Sequence, residues 1–443
     1  MNYNEFIDRL FAKLQDGETA EAVYTAGSSF EVEIKNGEIH QYAVADSLSL
    51  KFRLIANGRL GSASTQILDD EAVDLLVDSA RENAALIESK DEQFFYPGDP
   101  EYPEIPLYSE ALSALSAAEK IEMAKALEKL ALAQDARVSQ IEDCGLFYAE
   151  GESAMRNTLG LNVSQKDNLL GGYVIAIARD GEKVNTGSKT FFVHEPGEID
   201  LEAVAKKAVR DAVSGLNAKA VPSGSYRVLL RNDMAATMLS TFSGIFSAES
   251  AQRGLSLLKG KEGESIAADC VTLMDDPHRE KGGASCPFDG EGVATKVKPV
   301  IEKGRLTTLL HNLKTANKQG VVTTANASSG KDIAPSNFYF APSALTEDEM
   351  LAKTGDGLFI TSLMGMHAGA NPISGDFSLA ARGFRVENGK IAEPVDQITI
   401  AGNFYALLKD IEAVGGDLMF RFPGGSCFGS PSVLVKGLSV AGK

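Results

Sequence analysis

Two periods of hydrophobic spacing run along this chain, and they predict helices and hairpins in mixed order. Residues 2–15 read as a short amphipathic helix. Glu31-Val32-Glu33-Ile34 then alternates with period two, turns through Lys35-Asn36-Gly37-Glu38, and returns from Ile39. A second hairpin joins residues 48–55 to a strand from Leu60 across Asn57-Gly58, a turn whose two positions need positive φ. Over residues 70–88 the spacing becomes helical, with Val73, Leu76, Val77, Ala80, Ala84 and Ile87 on one face. Residues 94–106 hold four prolines and several aromatics, which predicts an extended connector. Ser116-Ala117-Ala118-Glu119 reads as a capping box opening a helix that runs to about Gln134. Strands are expected at 138–142, 154–162, 172–179 and 189–194. A further helix is expected over 200–216, turning Leu201, Val204, Ala208, Val209, Ala212 and Val213 inward.

The pattern changes at Asn217-Ala218-Lys219-Ala220-Val221-Pro222-Ser223-Gly224, a short polar linker. It divides the chain into an N-terminal domain, 1–220, with hairpins and packed helices, and a C-terminal domain, 221–443. The second part opens with a strand at 226–230 and one helix reaching about Gln252. Beyond that it reads as mostly antiparallel strands with glycine-rich turns, two of them at Lys303-Gly304 and Asn388-Gly389. Short helices recur at 346–353, capped by Thr346 with Glu349, and at 403–413. Strands and helices neither alternate strictly nor segregate by type, so the fold class is α+β.

Composition narrows the function classes. The 443 residues are 44% hydrophobic and 23% charged, enough for a normal core without disulfides. A net charge of −18 repels phosphate backbones and anionic lipid, so neither nucleic acid nor membrane is an expected partner. No apolar run approaches the ~20 residues that span a bilayer. The N-terminus, Met1-Asn2-Tyr3-Asn4-Glu5-Phe6, lacks the basic start and apolar stretch of a signal peptide. Cys144, Cys270, Cys286 and Cys427 are scattered, with no C-x-x-C pair, which fits reduced thiols and a cytoplasmic protein.

Complete catalytic motifs are missing. Zinc peptidases of the H-E-x-x-H type place two histidines one helical turn apart. The one His-Glu pair, His194-Glu195, runs into Pro196-Gly197, with Glu198 where the second histidine should stand. That reads as a loop after a strand. His40, His278, His311 and His367 are isolated, and each reads first as a packed or surface side chain. Gly424-Gly425-Ser426-Cys427-Phe428-Gly429 lacks the G-x-S-x-G spacing of a hydrolase elbow, and a lone cysteine there is more often structural than nucleophilic. No phosphate-cradling glycine loop occurs.

A wider set of motifs carries more. In order come Tyr226-Arg227-Val228-Leu229-Leu230-Arg231-Asn232-Asp233, Ser247-Ala248-Glu249-Ser250-Ala251-Gln252-Arg253-Gly254, Leu273-Met274-Asp275-Asp276-Pro277 and Pro287-Phe288-Asp289-Gly290-Glu291-Gly292-Val293. Gly375-Asp376-Phe377-Ser378, Arg382-Gly383-Phe384-Arg385-Val386-Glu387-Asn388-Gly389, Ile398-Thr399-Ile400-Ala401-Gly402-Asn403 and Gly437-Leu438-Ser439-Val440-Ala441-Gly442 follow. Together they resemble the TldD/PmbA family, also known as modulators of DNA gyrase. The resemblance implies two branches. The TldD branch is similar to zinc metallopeptidases, with H-E-x-x-x-H on the helix after the first C-terminal strand and a cysteine nearer the C-terminus. The PmbA branch, also called TldE, lacks the histidines and pairs with TldD.

Here that helix reads Met238-Leu239-Ser240-Thr241-Phe242-Ser243-Gly244-Ile245-Phe246, with no histidine and no acid, so the chain resembles the PmbA branch. What the resemblance implies is a non-catalytic subunit of a peptidase complex acting on unfolded peptides. Zinc would sit in a TldD-like partner and not in this chain, which would form a homodimer when alone. Gly375, Asp376, Ser378 and Asn403 are candidates for lining a peptide channel, and equally for shaping turns. Two alternatives stay open. One is an active metallopeptidase drawing ligands from His311, His367 and Cys427. The other is a binding protein linked to DNA gyrase without peptidase activity.

Overall fold

A computed structural model describes residues 1–88, 93–330 and 332–443. The N-terminal half is organised round one long antiparallel meander. Helix α1 (Tyr3–Ala12), capped by Asn2, leads into strands β1 (Thr19–Lys35), β2 (Glu38–Ala56) and β3 (Arg59–Thr65). Helices α2 (Asp70–Leu86), α3 (Glu110–Ser113) and α4 (Ala117–Ala133) follow. Strands β4 (Val138–Asn157), β5 (Asn162–Asp180) and β6 (Lys183–Val193) complete the sheet, and α5 (Leu201–Ser214) ends this half. Strand order is β3-β2-β1-β4-β5-β6. Asn57 and Gly58 both adopt the positive φ their turn needs, and Ser116 with Glu119 forms the expected capping box.

The strands are far longer than the hydrophobic pattern predicts. The Glu31 segment is the end of a 17-residue strand, and Ile39 and residues 48–55 belong to one 19-residue strand. Residues 138–142 and 154 lie on a single strand, while the turn before β5 falls inside the predicted strand 154–162. The physical reason is one-sided cover. Helices α1 and α2 pack on Ala20, Ala22, Leu50, Phe52 and Leu54, and α4 packs on Phe30, Val32 and Leu146. These side chains share one sheet face. Among the described residues no helix covers the opposite face. In mid-strand it is made of small residues such as Gly27, Ser29, Ala149 and Gly151, which give no period-two signal.

The C-terminal half begins with β7 (Gly224–Leu230), α6 (Asn232–Phe242), a 3-10 turn (Ser243–Phe246) and α7 (Ala248–Gln252). The single helix expected through Gln252 is thus three pieces, because Gly244 and Ser247 interrupt it. Strands β8 (Leu273–Asp275), β9 (Lys298–Glu302) and β10 (Arg305–Leu306), helix α8 (Leu313–Gln319), strand β11 (Asn337–Phe340) and helix α9 (Glu347–Thr354) come next. Then follow β12 (Gly357–Met364), α10 (Met366–Gly369), β13 (Asp376–Glu387), β14 (Lys390–Asn403) and α11 (Phe404–Lys409). The chain ends with β15 (Ile411–Val414), β16 (Met419–Phe420), β17 (Cys427–Ser430) and β18 (Val433–Ala441). The helix expected over 403–413 stops at Lys409, because Ile411 is taken up by pairing with Val435.

One sheet runs β10-β9-β8-β11-β17-β16 and another β14-β13-β12-β7-β18-β15. A further pairing of β14 with β18 closes β14, β13, β12, β7 and β18 into a small barrel. Val228, Leu230, Leu358, Ile360, Leu379, Ile400 and Val440 are buried in its cluster, together with Met238, Leu239 and Phe242 of α6. Pairing is mostly antiparallel; β7–β12 and β11–β17 are parallel.

The two halves meet on the helix-free sheet face. Met155 and Val163 pack with Phe288, and the Phe422 ring lies edge-on to Phe147, 4.7 Å between centroids. The connector 94–106 is a strap across this seam: the Tyr102 hydroxyl donates to Gly292 O at 2.7 Å, and Asp99 accepts from the Ala294 amide at 2.8 Å. The linker is also tied down, since Lys219 N donates to Pro394 O and Ser223 N to Lys443 O. No helix among the described residues is long and apolar enough to cross a membrane.

Candidate functional site

Strand β7 ends at Leu230, and Arg231 turns the chain directly into α6. One side of α6 is core: Ala235, Met238, Leu239 and Phe242 are all buried, and the Phe242 ring stacks on Phe404 at 4.7 Å. The other side carries hydroxyls, and these serve the helix itself. Thr237 Oγ1 donates to Asp233 O at 2.7 Å, Thr241 Oγ1 to Thr237 O at 2.9 Å, and Ser243 Oγ to Ser240 O at 3.0 Å. Back-bonding of this kind leaves short polar side chains lying along the helix instead of projecting from it.

Strand β17 packs against α6 and begins with Cys427. Its thiol is fully buried and donates to Arg421 O at 3.5 Å. Burial pushes it up to about 11. Gly283 is pressed against it: a Cβ there would stand 3.1 Å from the sulfur. His311 is buried beside Thr315, Nδ1 to Oγ1 3.2 Å, and its backbone carbonyl accepts from the hydroxyls of Thr323 and Thr324. His367 is exposed on α10. The structure does not bring Cys427, His311 and His367 together: among the described residues no group of three or more His, Cys, Asp or Glu side chains is placed to hold a metal.

Gly375, Asp376 and Asn403 do come together, at the corner where β13 begins and β14 ends. Asp376 faces Asn403 across the ladder, and Asn403 Nδ2 donates to Asp376 Oδ1 and to Ser374 O, both at 2.8 Å. The Asn403 side-chain oxygen caps α11 by accepting from the amides of Tyr405 and Ala406. Gly375 has φ +82°, and a Cβ there would strike the Tyr405 ring. Ser378, opposite Ala401, stands exposed on the outer face of the barrel.

Where β6 and α5 approach the barrel, a cavity of about 410 Å³ opens, lined by Asn185, Ser188, Asp211, Arg231, Asp233 and Arg382 among others. Arg231 is its hub. Its guanidinium donates twice to Asp233, at 2.7 and 2.6 Å, and once to Asp211, at 2.8 Å. Burial works against that charge, yet the two carboxylates hold the group above the ordinary Arg value. Asp211 also takes two bonds from Lys207, and Arg382 reaches both Asp396 and Asn185. The Lys189 amine near Asp233 is held below the usual Lys range by burial. None of these residues follows from a catalytic motif. The signal available was the polar triplet Arg231-Asn232-Asp233, with opposite charges at its ends, directly after an apolar strand.

Three family models match the chain in order: the PmbA/TldA metallopeptidase domain 1 over residues 20–84, central domain over 110–216 and C-terminal domain over 223–442. The chain belongs to the TldD/PmbA family. It is 29% identical over 434 residues to the metalloprotease PmbA of Escherichia coli O157:H7, covering 96% of this chain and 92% of that protein. Its fold superposes with a TM-score of 0.93 on a Thermotoga maritima protein named as a modulator of DNA gyrase, at 37% identity, 99% of this chain and 100% of the other. TldE from Thermococcus kodakarensis shares the fold, with a TM-score of 0.88 at 23% identity over 99% of this chain and all of that one.

Metallopeptidase chemistry in a TldD/PmbA protein calls for a metal, and the donor set on α6 does not fit one. Zinc takes imidazole, thiolate or carboxylate. The stretch from Met238 to Phe246 offers thioether, hydroxyl and hydrocarbon, with the Thr241 and Ser243 hydroxyls already engaged. No step is therefore assigned to a metal held by this chain.

Proposed function

We propose that this chain is the non-catalytic subunit of a TldD/PmbA-type peptidase assembly that handles unfolded peptides. The observation that carries the reading is α6. A helix that sits at the entry of the C-terminal barrel keeps its packing face intact, while its polar face holds self-bonded serine and threonine in place of metal ligands. The catalytic zinc then belongs to a histidine-bearing sibling, and this chain supplies wall. The cleft round Arg231, with paired charges and open hydroxyls, is a surface that can bind peptide backbone without selecting side chains. The corner of Gly375, Asp376 and Asn403 serves to shape the barrel rim, with exposed Ser378 beside it. The four free thiols fit a reducing, cytoplasmic setting.

The test is metal content and activity together. Purified alone, the chain is expected to hold well under one zinc per molecule and to leave unfolded peptides uncut. With a TldD-like sibling present, cleavage should exceed that of the sibling alone. Stoichiometric zinc lost on Cys427→Ala would refute the reading and favour an independent metallopeptidase.

A further inference from the structure

Glu21 and Arg53 stand directly opposite each other on β1 and β2. Their neighbours Ala20, Ala22, Phe52 and Leu54 face the helices, so this pair points to the helix-free side of the sheet, where the C-terminal half docks. Both are buried there, Glu21 1% and Arg53 7% exposed, and the Arg53 guanidinium lies 5.8 Å from the ring of Phe95 in the strap. The pair is incompletely bonded. Arg53 Nη2 touches Glu21 Oε1 without hydrogen-bond geometry, and among the described residues nothing accepts from Arg53 Nε. Glu291 is a second carboxylate acting on this guanidinium, and it accepts from the Leu313 amide at 2.7 Å. A buried ion keeps its desolvation cost unless its remaining protons find partners, so native structures rarely leave such a donor empty-handed.

Arg53 lines a cavity of about 820 Å³ between the sheet, the strap and helices α7 and α8. That volume is the size of a small-molecule site and far exceeds what one bridging water needs. Phe94, 46% exposed, supplies an apolar wall. Lys314 and Lys318, one turn apart on α8, also line it, and neither makes an ion pair with a described residue. The described lining balances four cations against four acids, so the recess lacks the negative field that a net charge of −18 imposes elsewhere on anions. We propose that this cavity binds an organic carboxylate with an apolar body. One carboxylate oxygen accepts from Arg53 Nε, Lys314 and Lys318 draw the charge in, and the body lies against Phe94. Charge-assisted bonds to a guanidinium are of the strong kind. A phosphate would carry up to about twice the charge towards Glu21 and Glu291, so the single charge of a carboxylate suits the site better. A free acid and the C-terminus of a peptide share this chemistry. Binding is read on the isolated chain, and the proposed role in a peptidase assembly by zinc and cleavage, so either can fail alone.

Calorimetry of the full chain should show binding of N-acetyl-phenylalanine, with its amide, which lacks the carboxylate, weaker by ~10-fold or more. The double variant Glu21→Gln with Arg53→Gln removes both charges together and strands neither, and it should bind the acid no better than the amide. Phe94→Ala, at an exposed site where the thermal melt should not move, should weaken the acid several-fold and keeps the test decisive should the double variant not fold. The tripeptide acid N-acetyl-Ala-Ala-Phe distinguishes the sources: tighter binding than the single residue assigns the site to peptide C-termini, equal or weaker binding to free acids. No binding at millimolar acid means a cavity filled by water only, and overturns the proposal. Equal affinity for acid and amide overturns it too, as does an affinity unmoved by the double variant or by Phe94→Ala.

Discussion

Replacing Arg231 with methionine keeps the length of the side chain but removes three charge-assisted hydrogen bonds, two to Asp233 within the C-terminal half and one to Asp211 across the seam between the halves. The Arg231 side chain is 13% exposed, against 18% for Asp211 and 24% for Asp233. Deleting one partner of a buried pair costs about 3–5 kcal/mol, because the remaining charge is left without compensation. Here the low end applies. Asp211 retains both bonds from Lys207, and Asp233 retains the Met234 amide, so neither carboxylate is abandoned. A loss of about 3 kcal/mol is expected for Arg231→Met. A cycle with Asp211→Asn should return a coupling of about 1 kcal/mol, since that carboxylate is shared with Lys207. Urea unfolding followed by circular dichroism is the assay, as the chain has no tryptophan to report. A loss under about 1 kcal/mol for Arg231→Met, the size of an ordinary surface change, would refute the reasoning. Additivity within ~0.3–0.5 kcal/mol would show that Arg231 does not join the halves through Asp211.

Acid should weaken the fold through two histidines. Burial lowers both His194 and His311, and His194 Nε2 is enclosed without a hydrogen-bond partner. Their neutral forms favour the native state, so this stability is complete above the unfolded value of about 6.5 and is lost as pH falls through the folded values. Urea midpoints should drop between about pH 7 and 5, and His194→Gln with His311→Gln should flatten that slope; an unchanged slope would count against it. Thiol labelling of the native chain should find Cys270 first, because it is exposed while burial holds Cys427 at about 11 and Cys144 and Cys286 at about 12. Cys427 should react only on unfolding, and fast native labelling there would contradict its packing.

Local features were legible from the chain alone. The Asn57-Gly58 and Asn388-Gly389 turns, the capping boxes at Ser116 and Thr346, and helices α2, α4 and α5 rest on interactions within a few residues, so the residue types suffice to specify them. The α+β class and the family also follow, because motifs spread over the C-terminal half keep their order. So does the absence of metal donors on the stretch 238–246, which is a property of composition at known positions. What the sequence could not express was anything set by contact between distant segments. Strand length in β1, β2, β4 and β5 depends on ladders between residues as far apart as Glu21 and Asn157, and one face of those strands lacks the helix cover that creates a hydrophobic period. Closure of the barrel rests on the pairing of β14 with β18. The Arg231 hub exists only because α5 brings Asp211 beside the turn after β7, twenty residues along the chain but in a different half of the molecule. His311, His367 and Cys427 were equivalent as letters. The tertiary structure separated them, because folding buried two in unrelated packing and left the third on the surface.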